Sequence, residues 1–136
     1  VDWLEEAARV AAGGSGRHGR HEDGAEGVYV LTGNAMWGRA SEEEREAVTA
    51  AFAKTIRYPS VSLANAFVSD RITATWADVL QINGAITSLN LESNQISSSG
   101  LEALAEALQT NTTLKELKLA NQSKGYFSTA AEEKFA

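Results

Sequence analysis

The stretch Ile86–Gln122, ITSLNLESNQISSSGLEALAEALQTNTTLKELKLANQ, decides how the whole chain is to be read. Leu89, Leu91, Asn94 and Ile96 form an L-x-L-x-x-N-x-I phrase, and a step of 28 positions carries Leu89 to Leu117, Leu91 to Leu119 and Ile86 to Leu114. A fixed period of that size marks a solenoid. Each unit is a short strand followed by a helix, which cannot bury its apolar side alone, so stacked neighbours complete the core.

Moving outward, Val61-Ser62-Leu63 falls 28 residues before Leu89-Asn90-Leu91. The segment Val28 to Met36 repeats the phrase in weaker form as Tyr29, Leu31, Asn34 and Met36. Strand phrases therefore start at Tyr29, Val61, Leu89 and Leu117, with spacings of 32, 28 and 28, and the extra four residues lie between Met36 and Val48. Between the strands the apolar period changes to that of helices. Ser41 and Glu44 form a capping box ahead of Ala47, Val48, Ala51, Phe52, Thr55 and Ile56 as the inward side. A second helix is expected from about Ile72 after an Asp70 cap, with Ile72, Trp76, Val79 and Leu80 aligned. A third runs from about Leu101 to Gln109, capped by Ser99 and Glu102, with Leu101, Leu104, Ala105 and Leu108 inward. Asn111-Thr112-Thr113 is its return turn, Glu116 to Ala120 the fourth strand, and Ser128 or Thr129 opens a last short helix.

At the other end, Asp2 to Ala12 reads as an amphipathic helix with Asp2 and Glu5 spaced as a capping box and Trp3, Leu4, Ala7, Ala8 and Ala11 on one side. Gly13 to Gly27 holds six glycines, charges of both signs and no bulky apolar residue, the composition of a mobile surface loop. The expected architecture is an α/β solenoid with short parallel strands on the concave face and helices on the convex face. Residues 1–27 form an N-terminal helix and flexible loop, and 28–136 a domain of about four repeats, the last incomplete.

Bulk properties narrow the function. The chain has 136 residues, 43% hydrophobic and 22% charged, with a net charge of −6. That is an ordinary composition for one domain, and it argues against a nucleic-acid partner. Cysteine is absent, which removes a disulfide frame and a thiolate zinc site. No apolar run approaches the roughly 18 residues of a membrane span, so no membrane insertion is expected. The chain opens on Val1-Asp2-Trp3 without a methionine or signal-like segment, as expected of a processed product or a fragment.

The wording of three segments resembles a known family. SLNLESNQIS at Ser88 to Ser97, GLEALAEALQTNTTL at Gly100 to Leu114 and ELKLANQS at Glu116 to Ser123 are similar to the leucine-rich-repeat domain of tropomodulin and leiomodin, within the ribonuclease-inhibitor subtype of such repeats. The similarity extends in weaker form back to Ser62. It implies a protein–protein interaction module that binds actin at the slow-growing filament end, together with segments outside the repeats. A cytoplasmic, cytoskeleton-associated adaptor follows from that resemblance. Against the family's extent, the sequence reads as stopping before the terminal repeats. The alternative reading is a structural subunit of a larger multi-protein assembly, with apolar strand faces covered by neighbours.

Outward strand positions form three columns. These are Val28, Ser60, Ser88, Glu116; then Val30, Ser62, Asn90, Lys118; then Thr32, Ala64, Glu92, Ala120. A solenoid commonly meets its partner on this face, so Val28, Val30, Ser62, Ser88, Asn90, Glu92, Glu116 and Lys118 are the candidate protein-binding residues; plain solvent exposure is the competing account. Val28 and Val30 lie opposite inward Tyr29 and Leu31, which reads as a strand buried on both faces, covered by helix Asp2 to Ala12 or by an external partner. Asn94 is expected to bond main-chain groups at the strand exit. Ala66 and Gln122 break an asparagine ladder at that register, with Asn65 and Asn121 as partial substitutes. His18, His21, Glu22 and Asp23 have spacing that can hold a metal, but flanking glycines remove preorganisation and no third ligand is fixed. No metal or cofactor is expected. Asn111-Thr112-Thr113 and Asn121-Gln122-Ser123 match a glycosylation sequon, but both fall at repeat turns and no secretion signal is visible, so no glycosylation is expected. No nucleophile lies near a base, so the chain does not read as an enzyme.

Overall fold

The computed structural model of the protein describes residues 3–11 and 27–123. Four three-residue strands, β1 (Val28–Val30), β2 (Ser60–Ser62), β3 (Ser88–Asn90) and β4 (Glu116–Lys118), form one parallel sheet in chain order. Tyr29, Val61, Leu89 and Leu117 are partners across it, flanked by the row Val28, Ser60, Ser88, Glu116 and the row Val30, Ser62, Asn90, Lys118. This is the register that the period demands once the insertion is allowed for. Strand alternation sends the central row into the core, where Tyr29, Val61 and Leu89 are buried, and leaves its neighbours half-exposed.

Parallel strands need crossovers, and helices supply them. α3 (Glu42–Ala50), α4 (Asp70–Ile82) and α5 (Ser98–Leu108) pack side by side. α4 buries Ile72, Trp76, Val79 and Leu80, the helical stripe read from the sequence. In α5 Leu101, Leu104 and Ala105 are buried as expected, and only the last position differs: Ala107 is buried and Leu108 is half-exposed. An aromatic cluster ties strand to helix, with Tyr29 edge-on to Phe52 at 4.9 Å and Phe52 against Trp76 at 5.2 Å.

Helix α1 (Trp3–Ala11) corrects one expectation. It packs on α3 and on the 3-10 turn Ala51–Lys54, burying Ala7, Val10 and Ala11, and so extends the helix layer instead of covering the outer face of β1. A terminal solenoid helix has an open flank that needs capping, and two valines on a three-residue strand offer far less apolar area. Val28 and Val30 stay half-exposed, like their equivalents in β2 and β3, so β1 is not buried on both faces. Asp2, the loop through Glu26, His18, His21 and the last helix lie outside the described residues.

The first repeat departs most from the phrase. Asn34 caps a short helix, α2 (Ala35–Arg39), by accepting the Trp37 amide at 2.9 Å. That helical turn is the four-residue insertion. It rotates Met36 outward, 39% exposed, and buries Trp37 in its place, with Nε1 donating to the Ala66 carbonyl at 2.6 Å. Arg45 of α3 fixes the turn by donating from Nε to the Trp37 carbonyl and from Nη2 to the Gly38 carbonyl, both at 3.0 Å. Its guanidinium also lies 5.8 Å from the Trp37 ring and 5.3 Å from that of Phe67.

α3, α4 and α5 each start after an N-cap serine, Ser41, Ser69 and Ser97. The Ser41 and Glu44 capping box is present in both directions. α3 then tightens into the 3-10 turn and Thr55 turns extended, so Thr55 is buried but Ile56 is 87% exposed, and Ala47 also faces out. The cap of α4 is Ser69, not Asp70. Asp70, the first helical residue, accepts instead from the Ser97 amide at 2.8 Å and the Ser97 hydroxyl at 2.5 Å, and α5 accordingly starts at Ser98, without the Ser99 cap. Glu42, at the equivalent position of α3, accepts the Ser69 hydroxyl at 2.5 Å. The acid that opens one helix thus braces the N-cap serine of the next.

That brace explains Gly100. A Cβ there would lie 2.6 Å from Asp70 Oδ1 and 2.8 Å from Ile96 Cγ2. Gly100→Ala is expected to cost about 1–3 kcal/mol, read as a lower urea midpoint with unchanged slope. An unchanged midpoint would mean that the brace yields without cost.

Candidate protein-contact face

Every candidate residue on the strands falls on the outward side of the sheet. Val30, Ser62, Asn90 and Lys118 are consecutive cross-strand partners, as are Val28, Ser60, Ser88 and Glu116. With strands about 4.8 Å apart, the face spans about 14 Å from β1 to β4. Its character changes along that span, from the two valines of β1, through the serines of β2, to Glu116 and Lys118 of β4. Ser88 Oγ donates to Glu116 Oε1 at 2.9 Å, and the Glu92 amide, two residues beyond β3, donates to Asn90 Oδ1 at 3.0 Å.

The face is positioned by a ladder of amide side chains at the strand exits. Asn94 is 2% exposed; its Oδ1 accepts the Ala66 and Val68 amides at 2.9 and 3.0 Å. Its Nδ2 donates to the Leu63, Leu91 and Glu92 carbonyls at 2.8, 2.9 and 3.0 Å. Gln122 continues the ladder and does not break it, since its longer side chain reaches the Ile96 amide at 3.0 Å and the Leu91 and Leu119 carbonyls at 2.9 Å each. Asn65 and Asn121 do other work. With Gly33 and Ser93 they occupy one left-handed column, at φ of 50° and 64° for the asparagines, 74° for the glycine and 59° for the serine.

A shallow depression of about 320 Å³ opens beside that column, lined by Asn65, Phe67, Ser93, Gln95 and Asn121 among others. Phe67 is 52% exposed there and also left-handed, at φ 58°. The outward columns do not include this edge, because they follow only the strand positions.

A second ladder, at the helix exits, has no counterpart in the sequence reading. Asn83 Nδ2 donates to the Phe52 and Thr55 carbonyls at 2.8 and 3.0 Å, while its Oδ1 accepts the Ala85 and Ile86 amides at 2.7 Å each. One repeat later, Asn111 Nδ2 donates to the Leu80 and Asn83 carbonyls at 2.7 and 3.2 Å and Oδ1 accepts the Thr113 and Leu114 amides at 2.9 and 2.8 Å. The 28-residue spacing of the pair is the signal that could have found it.

Among the described residues, shifted acidities do not gather into a reactive centre. Burial pushes the Tyr29 phenol well above its ordinary value within the aromatic cluster. A hydrogen bond from Arg71 holds the exposed Glu46 carboxyl below its usual range, across the surface between α3 and α4. Among the described residues no group of three or more His, Asp or Glu side chains could hold a metal ion. No described helix is long and apolar enough to cross a membrane.

A parallel sheet of three-residue strands backed by a single layer of helices, with amide ladders at both exits, defines a leucine-rich-repeat solenoid. The chain belongs to the tropomodulin and leiomodin family: the TMOD/LMOD leucine-rich domain model matches residues 38–136. Mus musculus leiomodin-2 is 48% identical over 61 residues, which is 45% of this chain and 11% of that protein. Mus musculus tropomodulin-4 is 46% identical over 63 residues, 46% of this chain and 18% of that protein. The chain thus spans well under a quarter of the length of these relatives. The solved structure of leiomodin-1 actin-binding site 2 superposes with a TM-score of 0.78 at 25% identity, covering 99% of this chain and 71% of that one. The Caenorhabditis elegans tropomodulin C-terminal domain shares the fold with a TM-score of 0.76 at 19% identity, covering 98% and 74%.

Proposed function

We propose that this chain is a protein-interaction module that binds actin and acts as a cytoskeletal adaptor in the cytoplasm, with residues 28–136 as the binding unit. The observation that carries the reading is the likeness, over 99% of the chain, to leiomodin-1 actin-binding site 2. The outward strand face is the contact surface of choice. Asn90, Glu92 and Lys118 sit close together on it, with main-chain geometry fixed by the strand-exit ladder, so little order has to be gained on docking.

The test is a titration of labelled actin monomers with the chain and with a variant carrying Asn90→Ala, Glu92→Ala and Lys118→Ala together. All three side chains are at least partly exposed, and only Asn90 is lost as a main-chain partner, of the Glu92 amide, so the variant should stay folded with a small fall in melting temperature. Binding by the parent chain and a loss of about tenfold or more in the variant is the expected result. Equal binding by both would move the contact off this face, and no binding by the parent chain would remove the actin reading.

A further inference from the structure

Asn83-Gly84 is the one Asn-Gly pair in the sequence, and the fold does not require the glycine. Beyond Gly84 itself and its two chain neighbours, no heavy atom lies within 4 Å of where a Gly84 Cβ would stand, and Gly84 does not have a positive φ. What the glycine does is chemical: without a β-carbon beside it, its amide nitrogen is open to reaction with the Asn83 carboxamide. We propose that Asn83 is a site of spontaneous deamidation which the closed fold suppresses, and that its conversion prevents the corner between α4 and β3 from closing again.

In the step, Gly84 N bonds to Asn83 Cγ while the Cγ–Nδ2 bond breaks. Nδ2 leaves as ammonia, carrying the proton lost from Gly84 N, and water then opens the cyclic imide to aspartate or isoaspartate. In the closed corner both ends of the carboxamide are held, by the Phe52 and Thr55 carbonyls at Nδ2 and by the Ala85 and Ile86 amides at Oδ1. Asn83 is 4% exposed, and cyclisation has to break these bonds first. The reaction therefore runs through local opening, at a rate scaled by the open population.

Conversion is not silent. A carboxylate at position 83 would turn an acceptor oxygen toward the Phe52 and Thr55 carbonyls, where Nδ2 had donated to both. Ionised, it is repelled in a buried site; protonated, it can donate to one of them only. Isoaspartate would in addition displace the Asn83 carbonyl that receives Asn111 Nδ2 in the next rung. Asn111 is a built-in control, because its amide is held in the same manner but Thr112 follows it, and a β-branched side chain shields the nitrogen.

The full chain is held at mildly alkaline pH, once folded and once in urea, then digested, and mass spectrometry follows the one-mass-unit gain at each asparagine. Asn83 should convert at least about tenfold faster in urea than in the folded chain, with Asn111 unconverted in both. Converted chains diluted from urea should lack the native melting transition, whereas Gly84→Ala should melt as the parent does and lose the conversion. Equal rates at Asn83 folded and unfolded, conversion of Asn111 alongside it, loss of the native fold in Gly84→Ala, or recovery of native melting by converted chains would each overturn the proposal.

Discussion

Asn94→Ala is expected to lower stability by about 3–5 kcal/mol, a large share of what a domain of this size has. The substitution strands the Ala66 and Val68 amides, both in a buried part of the chain, and takes the side-chain donor from the Leu63, Leu91 and Glu92 carbonyls. A buried main-chain group left unpaired loses its water without a replacement, at about 1–3 kcal/mol each. Asn94→Asp is no remedy, since a carboxylate cannot donate to three carbonyls. Gln122→Ala makes the comparison: it does the same work half-exposed, so water can replace it, and about 1 kcal/mol is expected. Urea unfolding of both variants reads the difference. Equal losses would mean that the ladder is a set of independent bonds and that burial of the central rung adds nothing.

The same ladder shows what could be read in advance. Cross-strand partners were legible to the residue and strand starts to within one, since β2 begins at Ser60 where the phrase begins at Val61, because a period imposes register and a one-residue slip would turn every leucine outward. The outward side followed from that register, so the seven candidate residues that the strands carry lie together on it, with Glu92 just beyond β3. Departures occur where one residue type serves two physical roles. Asn34 sits at the ladder position of the phrase but caps α2, and only the backbone distinguishes the two uses. Gln122 differs from asparagine in type but not in role, because its longer side chain reaches the same kinds of main-chain group. Ile56 continues the helical spacing in the sequence, yet a tightened last turn ends the stripe one residue earlier. Asp70 and Ser69 are both good caps, and the choice between them depends on Ser97, 27 residues away in the next repeat. Periodicity reports what is common to the repeats, and these departures belong to single repeats or to the contact between two.

Trp76→Ala is expected to cost about 3–5 kcal/mol, comparable to the loss of the central ladder rung but arising from volume. Trp76 is fully buried in the middle of α4 with its ring against Phe52, which in turn holds Tyr29 of β1, so the indole fills the space where helix layer and sheet meet. Its Nε1, however, is buried with no hydrogen-bond partner. The ring stabilises the core while its polar atom weakens it, and the two effects can be separated. Trp76→Phe keeps an aromatic ring against Phe52 and removes the unpaired donor. The smaller ring leaves a partial cavity, and the recovered desolvation offsets it, so the net change should stay within about 1 kcal/mol of the parent. Thermal and urea unfolding of the pair decide the matter. If Trp76→Phe loses as much as Trp76→Ala, the indole N–H has a partner that matters, and Trp76 is a hydrogen-bonded residue of the core instead of a space-filling one.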